Sequence, residues 1–225
     1  MGANEAKSIP FEWMVVDSTR PAACGNHREL PLRWDVDARQ RLIDLLTRAY
    51  SGELAAALAY RGHAASVGSD PAAAEIRRIE MEELDHRRRV GLMLGALGAQ
   101  PDPARERRAK VVGTLLGAGC RVAGRFLPMY GAGRLESGNI REYEAAACEA
   151  WTMGRTSFAD ELLAMAEVEW EHERFFRTEA ACDALWAHVP RWPIPPPREL
   201  IRSCFDAFVR RPAEIRFAPA SPPVH

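Results

Sequence analysis

"RRIEMEELDHRRRV", residues 77–90, is mostly charge, and two of its residues stand where charge is not expected. Read as a helix, the segment carries a stripe through Ile76, Ile79, Glu83, His86, Val90, Met93 and Leu97. Alternating steps of three and four residues mark the core-facing side of a packed helix. A carboxylate and an imidazole therefore occupy places that aliphatic side chains normally hold.

The same interruption recurs in each long helical pattern of the chain. A first helix is expected over 35–66, with Leu42, Leu46, Ala49, Glu53, Ala56 and Tyr60 on its stripe. "VGSDP" then makes a turn, with Asp70 as N-cap and Pro71 at the first helical position of a second helix that ends near Leu97 at "GAQPDP". A third helical region covers 104–151, kinked at Pro128, with Met129, Ala132, Glu136, Ile140, Tyr143 and Ala147 facing inward. The fourth covers 155–187, with Phe158, Leu162, Met165, Glu169, His172 and Phe176. "VPRWPIPPP" closes it, because five prolines in nine residues favour an extended linker. A short amphipathic helix follows over 198–210. Four long helices with one stripe each predict an all-α protein built as a four-helix bundle over 35–188. It carries an irregular N-terminal arm over 1–34 and a Pro-rich C-terminal extension with a short helix over 189–225.

Bulk composition narrows the function classes. A formal net charge of -1 gives no global field for nucleic acid, and the basic residues are spread along the helices. The five cysteines are scattered and include no C-x-x-C pair, which excludes a rubredoxin-type site and fits a reducing, cytoplasmic setting. The most apolar stretch, 111–133, is interrupted by Arg121 and Arg125; it does not read as a spanning helix but is compatible with peripheral contact at a membrane surface. A homodimer is also compatible with the sequence.

The interruptions form a constellation. Glu53 precedes Glu83-x-x-His86 by 30 residues, and Glu136 precedes Glu169-x-x-His172 by 33, so an antiparallel pair in each half sets its trio at one depth. Four ionised carboxylates in an apolar core would each cost several kcal/mol, together about as much as the ~5–15 kcal/mol stability of a domain. Two divalent cations balance four carboxylates, and two neutral imidazoles complete the shells without altering the charge. One imidazole and several carboxylate oxygens per ion suit iron, or manganese in its place. Glu80, Glu82, Asp85, Glu167, Glu171 and Glu173 read as the solvated face of the same helices. His27, His63, His188 and His225 read as structural or exposed.

These residues resemble the ferritin-like di-iron carboxylate superfamily, and within it the demethoxyubiquinone hydroxylase family. "SGELAAALAYRGHAAS" (51–66) looks like its first ligand helix and "EELDHRRRV" (82–90) like its second. "LGAGCRVAGRFLPMYGAGRLESG" (116–138) and "EVEWEHERFF" (167–176) look like the third and fourth. The resemblance implies two iron ions held by Glu53, Glu83, His86, Glu136, Glu169 and His172, with one or two glutamates bridging. It further implies a monooxygenase that takes electrons from NADH or a reductase and uses O2 to oxidise a hydrophobic, quinoid or aromatic substrate. Tyr143, two turns beyond Glu136, is placed to donate a hydrogen bond or relay an electron. A substrate tunnel is expected along Leu54, Leu58, Trp170 and Phe176. The sequence departs from the family where "NIREYEAA" and "EHERFF" lack its additional histidines. A ferritin- or rubrerythrin-like ferroxidase or peroxide scavenger is the alternative expectation.

Overall fold

Each of the four stripes is buried along nearly its whole length. In the second helix Ile76, Ile79, Glu83, His86, Val90, Met93 and Leu97 are all at 5% exposure or less. The computed structural model describes residues 34–68 and 71–210. The N-terminal arm, the capping role expected of Asp70, His27, Cys24 and the final tail with His225 lie outside the described residues.

The described chain is all-helical. Its elements are α1 (Trp34–Val67), α2 (Ala72–Ala96), α3 (Pro103–Gly119), α4 (Phe126–Thr152), α5 (Thr156–Ala181), a 3-10 turn (Ala184–His188) and α6 (Glu199–Arg210). Local chemistry fixes several ends. Asp102 caps α3 by accepting from the Ala104 N–H at 2.8 Å, with Pro103 in the first turn. α2 ends at Gly98, whose φ of 68° only glycine adopts without strain, while the Ala99 N–H closes back on the Leu94 carbonyl at 2.9 Å.

Two expectations are corrected here. The third helical region is two helices, broken over 120–125 and not kinked at Pro128. The break turns through Gly124 at φ 70°. Pro128 falls in the first turn of α4, where a missing N–H removes no intrahelical bond. The fourth helix stops at Ala181 instead of running to 187, because Asp183 accepts from the Leu185 N–H at 2.9 Å and starts a separate 3-10 turn.

Contacts across the helices set their directions. Arg61 meets Glu80 and Tyr50 packs on Gly91, so α1 and α2 are antiparallel. Gly133 lies under Phe176 while Asn139 reaches Glu169, so α4 and α5 are antiparallel too. Arg41 pairs with Glu149 at 2.8 Å and Tyr60 reaches Glu136, which runs α4 against α1. α3 returns the chain alongside α1: Gly113 sits on Ala55 and Leu58, and Gly117 on Leu58, Ala59 and Gly62. The result is a bundle-like core of α1, α2, α4 and α5 with α3 laid on its α1 face.

Two apolar clusters fill the two ends of this core. One gathers Leu42, Leu46, Met93, Leu94, Leu162 and Met165; the other gathers Ile76, Ile79, Met129, Ala132, Phe176 and Ala180. The acidic and imidazole positions lie between them. Beyond α5, the extended segment folds back on the bundle, with Trp192 buried against Gly133 and the Trp170 indole N–H donating to the Pro196 carbonyl at 2.8 Å. α6 then buries Ile201 and Phe208. Among the described residues, Cys120, Cys148, Cys182 and Cys204 form no disulfide. Among the described residues, no helix is long and apolar enough to cross a membrane.

Candidate metal centre

All six stripe groups converge at mid-bundle, and none exceeds 3% exposure. They fall into two quartets: Glu53, Glu83, His86 and Glu169, and Glu83, Glu136, Glu169 and His172. Within each quartet one donor atom per residue lies within 4.8 Å of all the others. Glu83 and Glu169 belong to both. The overlap follows from helix geometry, since the E-x-x-H pairs of α2 and α5 meet across the core, and the lone glutamates of the neighbouring α1 and α4 close the side toward them.

The imidazoles are oriented from two directions. His86 Nδ1 is 2.8 Å from Glu169 Oε1. His172 Nδ1 points inward, 3.1 Å from Glu83 Oε1 and 3.6 Å from Glu169 Oε2, while its Nε2 is 2.7 Å from Glu82 Oε2. A carboxylate on the outer nitrogen fixes the ring and raises the basicity of the inner one, as behind histidines that ligate metals. The lone glutamates are held by a crossed pair of phenols: the Tyr60 hydroxyl donates to Glu136 and the Tyr143 hydroxyl to Glu53. The Asn139 side-chain amide donates to Glu136 at 2.8 Å and more weakly to Glu169 at 3.4 Å.

Despite these contacts, several inward atoms lack hydrogen-bond partners. Both oxygens of Glu83, Oε2 of Glu53 and Nδ1 of His172 are buried and unsatisfied. Each such group costs about 1–3 kcal/mol, more when charged, so their clustering asks for a cation among them. Protons compete for the same atoms. Burial raises the pKa of Glu53, Glu83 and Glu136, and the charge of Glu169 adds to the rise. Burial acts on Glu169 as well, but hydrogen bonds from His172 and His86 outweigh it and hold that carboxyl well below its usual range. Burial would lower His172, yet Glu169, Glu82 and Glu83 together hold it well above an ordinary histidine. Burial and the facing carboxylates push Tyr60 and Tyr143 far up, so both phenols remain donors. Three carboxylates and one imidazole in each quartet fit hard or borderline divalent ions such as iron(II) and manganese(II).

The structure thus brings together Glu53, Glu83, His86, Glu136, Glu169, His172 and Tyr143. Sequence spacing missed Tyr60, Asn139 and Glu82. Tyr60 had a signal, since it follows Glu53 by the same interval as Tyr143 follows Glu136. Glu173 does not belong to the solvated face as expected, and Glu82, which is partly exposed there beside Arg78, has an inward role as well. Glu82 backs His172, and Glu173 is fully buried between Arg177 at 2.6 Å and the Trp192 indole N–H at 2.7 Å. Glu80, Asp85, Glu167 and Glu171 do lie at the partly or fully exposed surface beside arginines. His188 is exposed, and His63 is buried in the apolar end near Phe176, outside the cluster.

A cavity of about 400 Å³ between α1, α3 and α4 reaches the centre. Glu53, Tyr60, Glu136, Asn139 and Tyr143 form its floor. None of the expected tunnel residues lines it. Phe176 stacks on Tyr60 in the core at 5.2 Å, Trp170 is tied to Pro196, and Leu58 supports Gly113 of α3. The wall is instead the α1 face bearing Leu45, Ala49, Gly52, Ala56 and Ala59.

Compared with family models, curated proteins and solved structures, the chain matches none.

Proposed function

We propose that the protein is a non-haem di-iron oxygenase of ferritin-like four-helix architecture that uses O2 to oxidise a hydrophobic, aromatic or quinoid substrate bound in the cavity beside Glu53 and Glu136. The observation that carries this reading is the pair of overlapping quartets with their unsatisfied inward atoms. Glu53 and His86 would complete one ion's shell, Glu136 and His172 the other's, and Glu83 and Glu169 would serve both. Two irons held there would supply reductive activation of O2.

The chain's own residues would do the rest. Tyr60 and Tyr143 hold the outward oxygens of Glu136 and Glu53, which leaves the remaining lone pairs directed inward. Glu82 keeps a proton on His172 Nε2, so Nδ1 is free to ligate. The apolar ends of the bundle exclude water from the centre and protect an oxidant from quenching. The cavity floor exposes the glutamate and tyrosine side chains to an organic molecule, which favours an oxygenase over a plain ferroxidase.

Metal analysis together with the absorption spectrum of the oxidised protein tests the reading. Two irons per chain and reductant-driven O2 uptake that depends on a hydrophobic aromatic are the expected results. Stoichiometric iron(II) oxidation indifferent to any organic molecule would favour the ferroxidase, and a protein that binds neither iron nor manganese would end both readings.

A further inference from the structure

The cavity changes chemistry from floor to mouth. Its floor is the buried carboxylate and phenol set, and its walls are the aliphatic and glycine positions of α1 and α4, with Leu116 contributed by α3. Its rim is basic. Arg48, Arg105 and Arg108 line it, and all three are exposed.

The acids near that rim are mostly engaged. Glu142 lines the same opening, and Arg48 offsets its charge against the burial that raises its pKa. Asp102 reaches Arg105 only at 3.7 Å, in an exposed pair. Glu106, the one acid of α3, is taken by Arg87 and by the Ser51 hydroxyl at 2.7 Å. The first half of α3 thus presents Arg105, Arg107, Arg108 and Lys110 against a single committed carboxylate. A positive rim over low-dielectric walls concentrates anions at the mouth, whereas the floor, which carries Glu53 and Glu136 and no basic side chain, offers an anionic head no partner. A bound anion therefore has one orientation available, with its charge outward.

We infer that the substrate is an amphipathic anion: a hydrophobic body lies in the cavity toward Glu53 and Glu136, and a carboxylate or phosphate head is held at the rim by Arg105 and Arg108. This rests on the oxygenase reading for the term substrate, but binding alone is enough to test it. The guanidinium fork suits either head group.

The experiment is calorimetric titration of the full-length, manganese-loaded protein with dodecanoate, dodecyl phosphate and dodecanol, each below its micellar concentration. One of the two anions is expected to bind about tenfold or more tighter than dodecanol at low salt, and the preference should shrink as ionic strength rises. Which anion binds better distinguishes the carboxylate from the phosphate source. Arg105→Ala/Arg108→Ala should remove the preference and leave dodecanol binding within about twofold, as expected for head-group contacts alone. Arg107→Ala, a basic residue of the same helix that does not line the rim, should leave all three affinities unchanged. Ala49→Phe, which fills the cavity, should abolish binding of every probe. Equal affinity for dodecanol and both anions overturns the inference, as does an anion preference that survives the double variant or vanishes when metal is stripped. Arginine-dependent anion binding in a protein that holds no metal would sustain the binding site while removing the oxygenase reading.

Discussion

Glu83 has two buried oxygens that accept no well-formed hydrogen bond, although His172 Nδ1 stands 3.1 Å from one of them. Burial and three neighbouring glutamates disfavour its charged form. In metal-stripped protein this residue is a source of instability, and Glu83→Gln removes the charge at nearly constant volume. The variant should be more stable than wild type by about 1–3 kcal/mol at pH 8 without metal. Because both quartets include Glu83, it should also lose most of the stabilisation that manganese(II) gives wild type. Melting curves with chelator and with metal measure both effects; a variant that is less stable when stripped, or that keeps the full metal shift, contradicts the assignment. His63 is the opposite kind of buried group. Burial and the charge of Arg125 lower its pKa from 6.5 to about 4. The folded form therefore favours the neutral ring, so the stability it allows is present above pH 6.5 and is lost as pH falls toward 4. His63→Leu should flatten that part of the profile, by up to about 3 kcal/mol at the acid limit by linkage, as read from urea midpoints between pH 7 and 4. The six central residues were legible because burial imposes a period on each helix, and a charge on the buried stripe stands out. Glu82 was not legible, because it is one position off the stripe of α2 and its partner His172 sits on a different helix.

At the level of elements, the tightest approaches at any described glycine join α3 to α1. A Cβ built on Gly62 would come within 2.3 Å of the Gly117 backbone, and one on Gly113 within 2.5 Å of the Ala55 carbonyl. No side chain can yield there, so Gly62→Ala forces the helices apart. The expected cost is about 1–3 kcal/mol, together with weaker binding of any probe seated under Leu116. Gly131, inside α4, has nothing within 4 Å of the same construction, so Gly131→Ala should stabilise by about 0.5–1 kcal/mol through helix propensity. Denaturant midpoints for the two variants check the contrast, and equal shifts of the same sign would contradict it. This scale was also where the sequence misled. The stripes located α1, α2, α4 and α5, but Pro128 drew attention as the breaker when it starts a helix. The real break is a glycine turn four residues earlier. The role of α3 could not be read from periodicity, since its buried positions Ala109, Gly113 and Gly117 are small residues that make contact through backbone and carry little hydropathy signal.

At the level of the whole molecule, the acidic layer between two apolar clusters couples stability to protons and metal at once. Glu53, Glu83 and Glu136 have folded-state pKa values above the unfolded value of 4.5. Their favourable contribution is thus complete below pH 4.5 and declines as pH rises. His172 is also raised, above 6.5, so its ion pairs with Glu169 and Glu82 persist through neutral pH and are lost as pH climbs through its folded pKa. Glu169 is shifted the other way and stabilises above 4.5, which limits the benefit of strong acid. Summed, these central groups should make the stripped protein lose stability as pH rises above 4.5, with His63 opposing that trend below pH 6.5. Divalent ions act in reverse. Their ligands must release protons, so affinity grows with pH, and the stabilisation follows the ratio of free metal to Kd, about 2.7 kcal/mol at a hundredfold excess. The separation between melting temperatures in manganese(II) and in chelator should therefore widen steadily from pH 5.5 to pH 8. Two melting series across that range decide the matter: parallel curves would mean that the six buried groups exchange no protons for metal, and the layer would then be an acidic core stabilised by hydrogen bonds alone.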